Sequence, residues 1–161
     1  VQNKKMEKKK RPHLELELIW WIFTLILTIG VLYPITSQIK NYPFLVINIL
    51  FIIVFVTFTR YVFLLKHTFI AKKQLLKIFL IVLCLPTVLY IINGINFFQT
   101  YIDENGFRSV VGDLPYDQQE SMMSYIRSLL LFFGVGGAIV TIVFALRLLM
   151  SVWRYRNHKK I

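Results

Sequence analysis

Between Glu17 and Asp103 the sequence holds no aspartate or glutamate, and none follows Glu120. Proton- and cation-coupled transporters generally carry a carboxylate near the middle of the bilayer; Asn48, Asn93, Asn96 and scattered threonines are the strongly polar groups here, so a coupled pump is disfavoured. Cysteine is almost absent: Cys84 alone can form neither an internal disulfide nor a thiolate cluster, and in an apolar run it is expected to behave as a small hydrophobe. The three histidines, His13, His67 and His158, sit in basic segments without metal-ligand spacing. No HExxH, GxSxG or intramembrane aspartate pair occurs, and Ser128 and Ser151 have no evident base. Gly134-Val-Gly-Gly-Ala138 lacks the Lys-Ser/Thr of a phosphate loop. No catalytic residue, cofactor or metal is therefore expected, and the protein is not expected to be an enzyme.

Apolar residues make up 57% of the 161 positions, with a mean hydropathy of +0.61, which excludes an ordinary soluble globule. They gather in four continuous blocks, 18–39, 44–65, 78–98 and 129–153. Each block reaches the roughly 20 residues that a helix needs to cross a bilayer, and none alternates as barrel strands do. The expected fold class is all-α: a polytopic membrane domain over 18–153, a basic tail over 1–17 and another over 154–161. The first block is too long for a signal-peptide core and lacks a small-x-small cleavage site, so it is expected to stay as a helix. Val1 fits a GTG start, with Met6 as an alternative beginning.

Basic residues cluster before the first block, between the second and third, and at the end of the fourth. Those places hold sixteen bases against three acids, a charge of +13; the opposite side has three bases against five acids, −2. Short basic loops stay in the cytoplasm during insertion, which predicts both termini cytoplasmic and residues 99–127 outside, in the periplasm of a bacterium. Lysine-rich 1–13 is expected to be disordered when free and to favour anionic lipid headgroups. The basic face could also meet nucleic acid or a ribosome, but positive-inside topology produces the same pattern, and that partner is disfavoured.

Short connections predict that the first and second blocks, and the second and third, are antiparallel neighbours. Tyr33-Pro34 and Tyr42-Pro43 bracket the first outer turn. Asp103-Glu-Asn-Gly106 is a turn signal, and Asp113 with Pro115 and Asp117 marks a helix start. A short amphipathic helix with Leu114, Met122, Met123, Ile126 and Leu130 on one face should lie outside the membrane before the fourth block. It should be set off by a bend near 124–128, because a straight helix over 114–153 would measure about 60 Å. Pro86 should bend or loosen the third helix.

Arg60 and Arg147 each lie roughly six or seven residues inside the basic edge of a helix, at similar depth, with Glu15 and Glu17 as the nearest counter-ions. They either snorkel to the interface or contact lipid or a partner. Gly134 and Ala138 have small-xxx-small spacing, which admits a close helix, internal or foreign. Met122 and Met123 suit an adaptable contact surface.

Three segments, Arg11-Pro-His-Leu-Glu-Leu-Glu-Leu-Ile-Trp-Trp21, Phe58-Thr-Arg-Tyr-Val-Phe-Leu-Leu-Lys-His67 and Phe133-Gly-Val-Gly-Gly137, resemble uncharacterised four-helix integral membrane proteins of Bacteroidetes-type bacteria. The resemblance implies a bacterial inner-membrane location and brings no activity or site residue with it. The sequence as a whole points to an accessory or assembly subunit of a larger membrane complex, such as one for envelope biogenesis or protein export, whose partners are other integral membrane proteins. It would dock through lipid-facing small residues of the fourth helix and through 99–127. A small oligomeric transporter or channel is the alternative.

Overall fold

The computed structural model describes the backbone of residues 2–65 and 73–158, and the side chains of 15–65 and 73–157. Its elements are α1 (Gln2–Gln38), α2 (Leu45–Leu64), α3 (Gln74–Asn105), the single turn α4 (Arg108–Val111) and α5 (Tyr116–His158). All regular structure among the described residues is helical, and four of the helices are long and apolar enough to span a membrane. Large apolar side chains point outward along all four; Leu25, Phe63, Leu85 and Ile139 are all more than half exposed. A soluble monomer does not expose apolar surface on that scale, whereas lipid covers it without cost.

Helix α5 is the hub. Its broadest contacts are with α2 and α3, while α1 lies against α2. The pairings set the directions. Phe55 of α2 meets Phe132 and Phe133, and further along both helices Phe58 and Tyr61 stack on Phe144; α2 and α5 therefore run parallel. Lys77 near the start of α3 reaches Ser151 near the end of α5, so that pair is antiparallel. Glu17 and Arg60 bring the early part of α1 beside the end of α2. The bundle thus has a terminal end (Glu17, Arg60, Lys77, Ser151) and a loop end. The sequence expectation that α2 and α3 pair directly needs correcting in degree. They meet through Phe51 and through Phe44, just ahead of α2, and share α5 between them.

Several boundaries differ from expectation, each for a local reason. The basic start of the chain is helical from Gln2 and continuous with the membrane helix, passing through Pro12; lysine and glutamate are good helix formers. Helix α1 passes through Pro34 to Gln38, and α3 passes through Pro86, where Thr87 Oγ1 donates to the Leu83 carbonyl at 2.8 Å. The basic connection 66–72 and residues 159–161 lie outside the described residues. Asp103-Glu-Asn-Gly106 is not a separate turn but the end of α3. Gly106 takes φ +73° and its N–H donates to the Ile102 carbonyl at 2.9 Å, a positive-φ closure that glycine makes at least cost. The separate outer helix does not exist either. It is the first part of α5, uninterrupted from Tyr116, because no proline or glycine intervenes before Gly134 and the Met122–Ile126–Leu130 stripe simply continues into Phe133.

At the loop end, Phe44 is fully buried and meets Tyr42, Phe97, Phe98 and Tyr101 edge-on at 5.0–5.8 Å, an arrangement that favours ring quadrupoles. Beside it, Asn48 Nδ2 donates to Tyr42 Oη at 2.6 Å. Burial pushes the Tyr42 phenol above its ordinary range, against a smaller downward pull from Asn48, so it stays protonated and its contribution fades only at pH above about 10. Asn48 is 0% exposed, which makes the tyrosine oxygen costly to remove. Tyr42→Phe should lower stability by about 1–3 kcal/mol. Tyr42→Phe combined with Asn48→Leu should recover much of that in thermal unfolding; a single variant indistinguishable from the parent would contradict this packing.

Candidate functional site

At the terminal end the sequence brings a cation into an apolar setting. Four residues before the end of α2, Arg60 is only 8% exposed. Its Nη1 donates to Glu17 Oε2 at 2.7 Å, and its guanidinium lies 5.6 Å from the Trp20 ring and 5.5 Å from that of Tyr61. The carboxylate cancels the charge while the rings supply cation–π attraction. Glu15 is exposed, so of the two expected counter-ions only Glu17 forms the pair. Arg147 is half-buried and has no acidic partner among the described residues. Sequence reasoning overlooked Lys77, which is 3% exposed with Nζ donating to Ser151 Oγ at 3.0 Å. In the sequence it looks like one more flanking lysine; the clue is its place one turn inside α3.

The small-residue stripe faces inward. A Cβ on Gly134 would lie 2.9 Å from Phe51 Cε2 and 3.0 Å from Ile95 Cδ1, and one on Gly136 would lie 2.9 Å from Phe55 Cε2. Ala138 packs against the same core. The expectation of a lipid-facing docking surface at Gly134 and Ala138 is corrected accordingly: the close helix is the protein's own α2. Phe51 explains why. Its ring is 0% exposed and fits between Gly134 on α5 and Gly94 on α3, where a Cβ would come within 2.8 Å.

At the loop end, α3 and α5 are longer than a bilayer requires. Their 32 and 43 residues correspond to about 48 and 65 Å, against a hydrocarbon thickness of about 30 Å. Between the projecting ends and Phe107, just ahead of α4, opens a cleft of about 740 Å³ lined by Phe98, Gln99, Ile102, Asp103, Phe107, Tyr116, Gln119, Glu120, Met123, Ser124 and Arg127. Apolar walls (Phe98, Ile102, Met123) alternate with carboxylates and one guanidinium at the rim. Gln119 is 9% exposed; its Nε2 donates to the Leu114 carbonyl at 2.8 Å, while Oε1 is buried with no partner among the described residues. Of the two methionines singled out in the sequence, Met123 lines the cleft and Met122 is core. Gln119 was legible in principle, three residues before Met122 on the stripe Met122, Ile126, Leu130, as a polar interruption of an apolar face.

No group of three metal-ligating side chains comes together among the described residues. The arrangement can bind: a mixed polar and apolar cleft at one end, a neutralised arginine at the other. No protein-family model, curated protein or solved structure matches this chain.

Proposed function

We propose that this protein is a non-catalytic accessory or assembly subunit of a larger membrane complex, seated in the cytoplasmic membrane of a bacterium. Both termini face the cytoplasm and residues 99–127 face the periplasm, as the +13 and −2 charge division favours. The observation that carries the reading is the loop-end cleft, built where α3 and α5 outrun the bilayer. Such an overhang serves nothing inside the membrane, and its apolar walls with a charged rim suit another protein's extramembrane segment. The interior supports a subunit over the channel alternative, because Phe51, Phe55, Phe58, Phe133 and Phe144 fill the space between the helices.

Purification from native membranes in mild detergent should recover a second, larger membrane protein in fixed ratio. The exposed pair Asp103→Lys and Glu120→Lys should lower that recovery about tenfold or more, since reversed charges at an interface oppose a complementary partner, while thermal unfolding stays within about 0.5 kcal/mol of the parent. Recovery of a homo-oligomer alone, or of the partner at equal yield from the double variant, would sink the proposal.

A further inference from the structure

The loop-end cleft has a regular geometry that restricts what can fill it. Its walls are two helices lying side by side, α3 and α5. Glu120, Met123 and Arg127 face it from α5 at steps of three and four residues, and Ile102 and Asp103 face it from α3. From Tyr116 to Arg127 the α5 wall runs about 16 Å. Both walls are helical, so their backbone N–H and C=O groups are already paired, and an extended strand finds no edge to bond to. A helix needs no such edge, because its backbone bonds lie within itself. Steps of three and four residues are also the spacing into which a third helix fits its own side chains.

The charges on the walls narrow the occupant further. Asp103, Glu120 and Arg127 are all exposed, and no ion pair joins any of them among the described residues. Arg108, the other base nearby, has its guanidinium 5.8 Å from the centre of the Tyr116 ring. Along α5 the sign changes within two turns: Arg127 is nearer the membrane, and Glu120 lies about 10 Å further out. Ile95 packs beside Gly134, a register that puts Asp103 close to the depth of Arg127 on the opposite wall. A complementary occupant therefore carries an acid facing Arg127, a base seven residues outward facing Glu120, and a second base towards Asp103. Apolar side chains between them would meet Ile102 and Met123. The α5 of a second copy does not qualify, because at equal depth it sets Arg127 against Arg127 and Glu120 against Glu120.

We propose that the cleft seats one helix of a different membrane protein, the stretch by which a transmembrane helix of that protein continues into the periplasm, with this charge order along its contact face. The inference rests on the proposed function, in which the cleft meets another membrane protein; it adds which part of the partner enters and how that part is charged. Such a prolongation reaches the cleft without a turn, since it leaves the bilayer alongside α3 and α5 as helices of one bundle do.

The test is photo-cross-linking in cells of the native organism, with a benzophenone amino acid placed in the full chain at Tyr116 or at Ser124. Mass spectrometry then identifies the partner residues that are joined. The two positions lie about 12 Å apart along α5. On a helix the joined residues should fall about eight apart in one continuous segment, whereas on an extended segment they would fall about four apart. Arg127→Glu and Glu120→Lys should each lower adduct yield about fivefold at equal amounts of chain in the membrane. Reversing the facing charge in the partner's joined segment should restore it, an acid made basic for the first variant and a base made acidic for the second. The spacing is read with the charges intact, so it decides the matter even if a charge variant does not fold. Joined residues about four apart or on separate segments, or a failure of both charge exchanges to restore the yield, would overturn the helix and leave a protein partner standing. No adduct from either position, or adducts only with a second copy, would overturn it together with the proposed function.

Discussion

Replacing Phe51 with alanine should weaken the bundle by about 3 kcal/mol, the largest effect of any single side chain in it. Truncating a buried phenylalanine costs about 3–5 kcal/mol in soluble cores. Between helices in lipid the transfer contribution is reduced, and lost packing dominates, which places the expectation at the lower end. Phe51 is fully buried and its ring occupies the space that Gly94 and Gly134 leave open on two different helices, so its removal opens a void shared by α2, α3 and α5. The converse change overfills the same space. Gly134→Leu forces carbon into the Phe51 and Ile95 side chains and should cost about 1–3 kcal/mol, and combined with Phe51→Ala the two losses should be clearly less than additive. Unfolding by sodium dodecyl sulfate in mixed micelles measures both. A Phe51→Ala variant within about 0.5 kcal/mol of the parent would mean that the glycines do not close on α2, and would return them to the outer surface as a docking stripe.

Neutralising Arg60 should produce the second large effect. Arg60→Gln removes the 2.7 Å ion pair together with both ring contacts and leaves Glu17 without its counter-charge, a loss of about 2 kcal/mol or more. Glu17→Gln keeps the rings and should cost less, since Glu17 is the more exposed partner and Arg60 is close enough to the helix end to find headgroups. The double variant should recover part of the sum. Arg147→Gln, at similar depth but without an acidic partner among the described residues, should stay within about 0.5 kcal/mol of the parent. Equal effects at the two arginines would show that the Glu17 contact contributes nothing particular.

The contrast between those arginines marks where sequence reasoning reaches and where it stops. The four spans are legible because hydrocarbon thickness imposes a length that composition alone reveals. Glu17 as counter-ion to Arg60 is legible because both lie at the same end of their helices and acids are so scarce. What is not legible depends on neighbours. Nothing local says that α5 would run unbroken from Tyr116, because a bend and a straight overhang differ only in whether α3 extends alongside it. That extension is set by Gly106, eight residues past the apolar block that ends at Phe98. The inward direction of Gly134 and Ala138 is equally hidden, since it requires α2 and α5 to be parallel neighbours, and a short connection between blocks suggests only the antiparallel pairs.

A photo-reactive amino acid placed at Gln99, on the cleft, and at Leu85, which is 70% exposed on the lipid-facing side of α3, would be irradiated in intact cells of the native organism. A discrete adduct with one other membrane protein is expected from position 99 and none from position 85. An adduct only with a second copy of this chain, equal labelling from both positions, or no adduct from position 99 would contradict it.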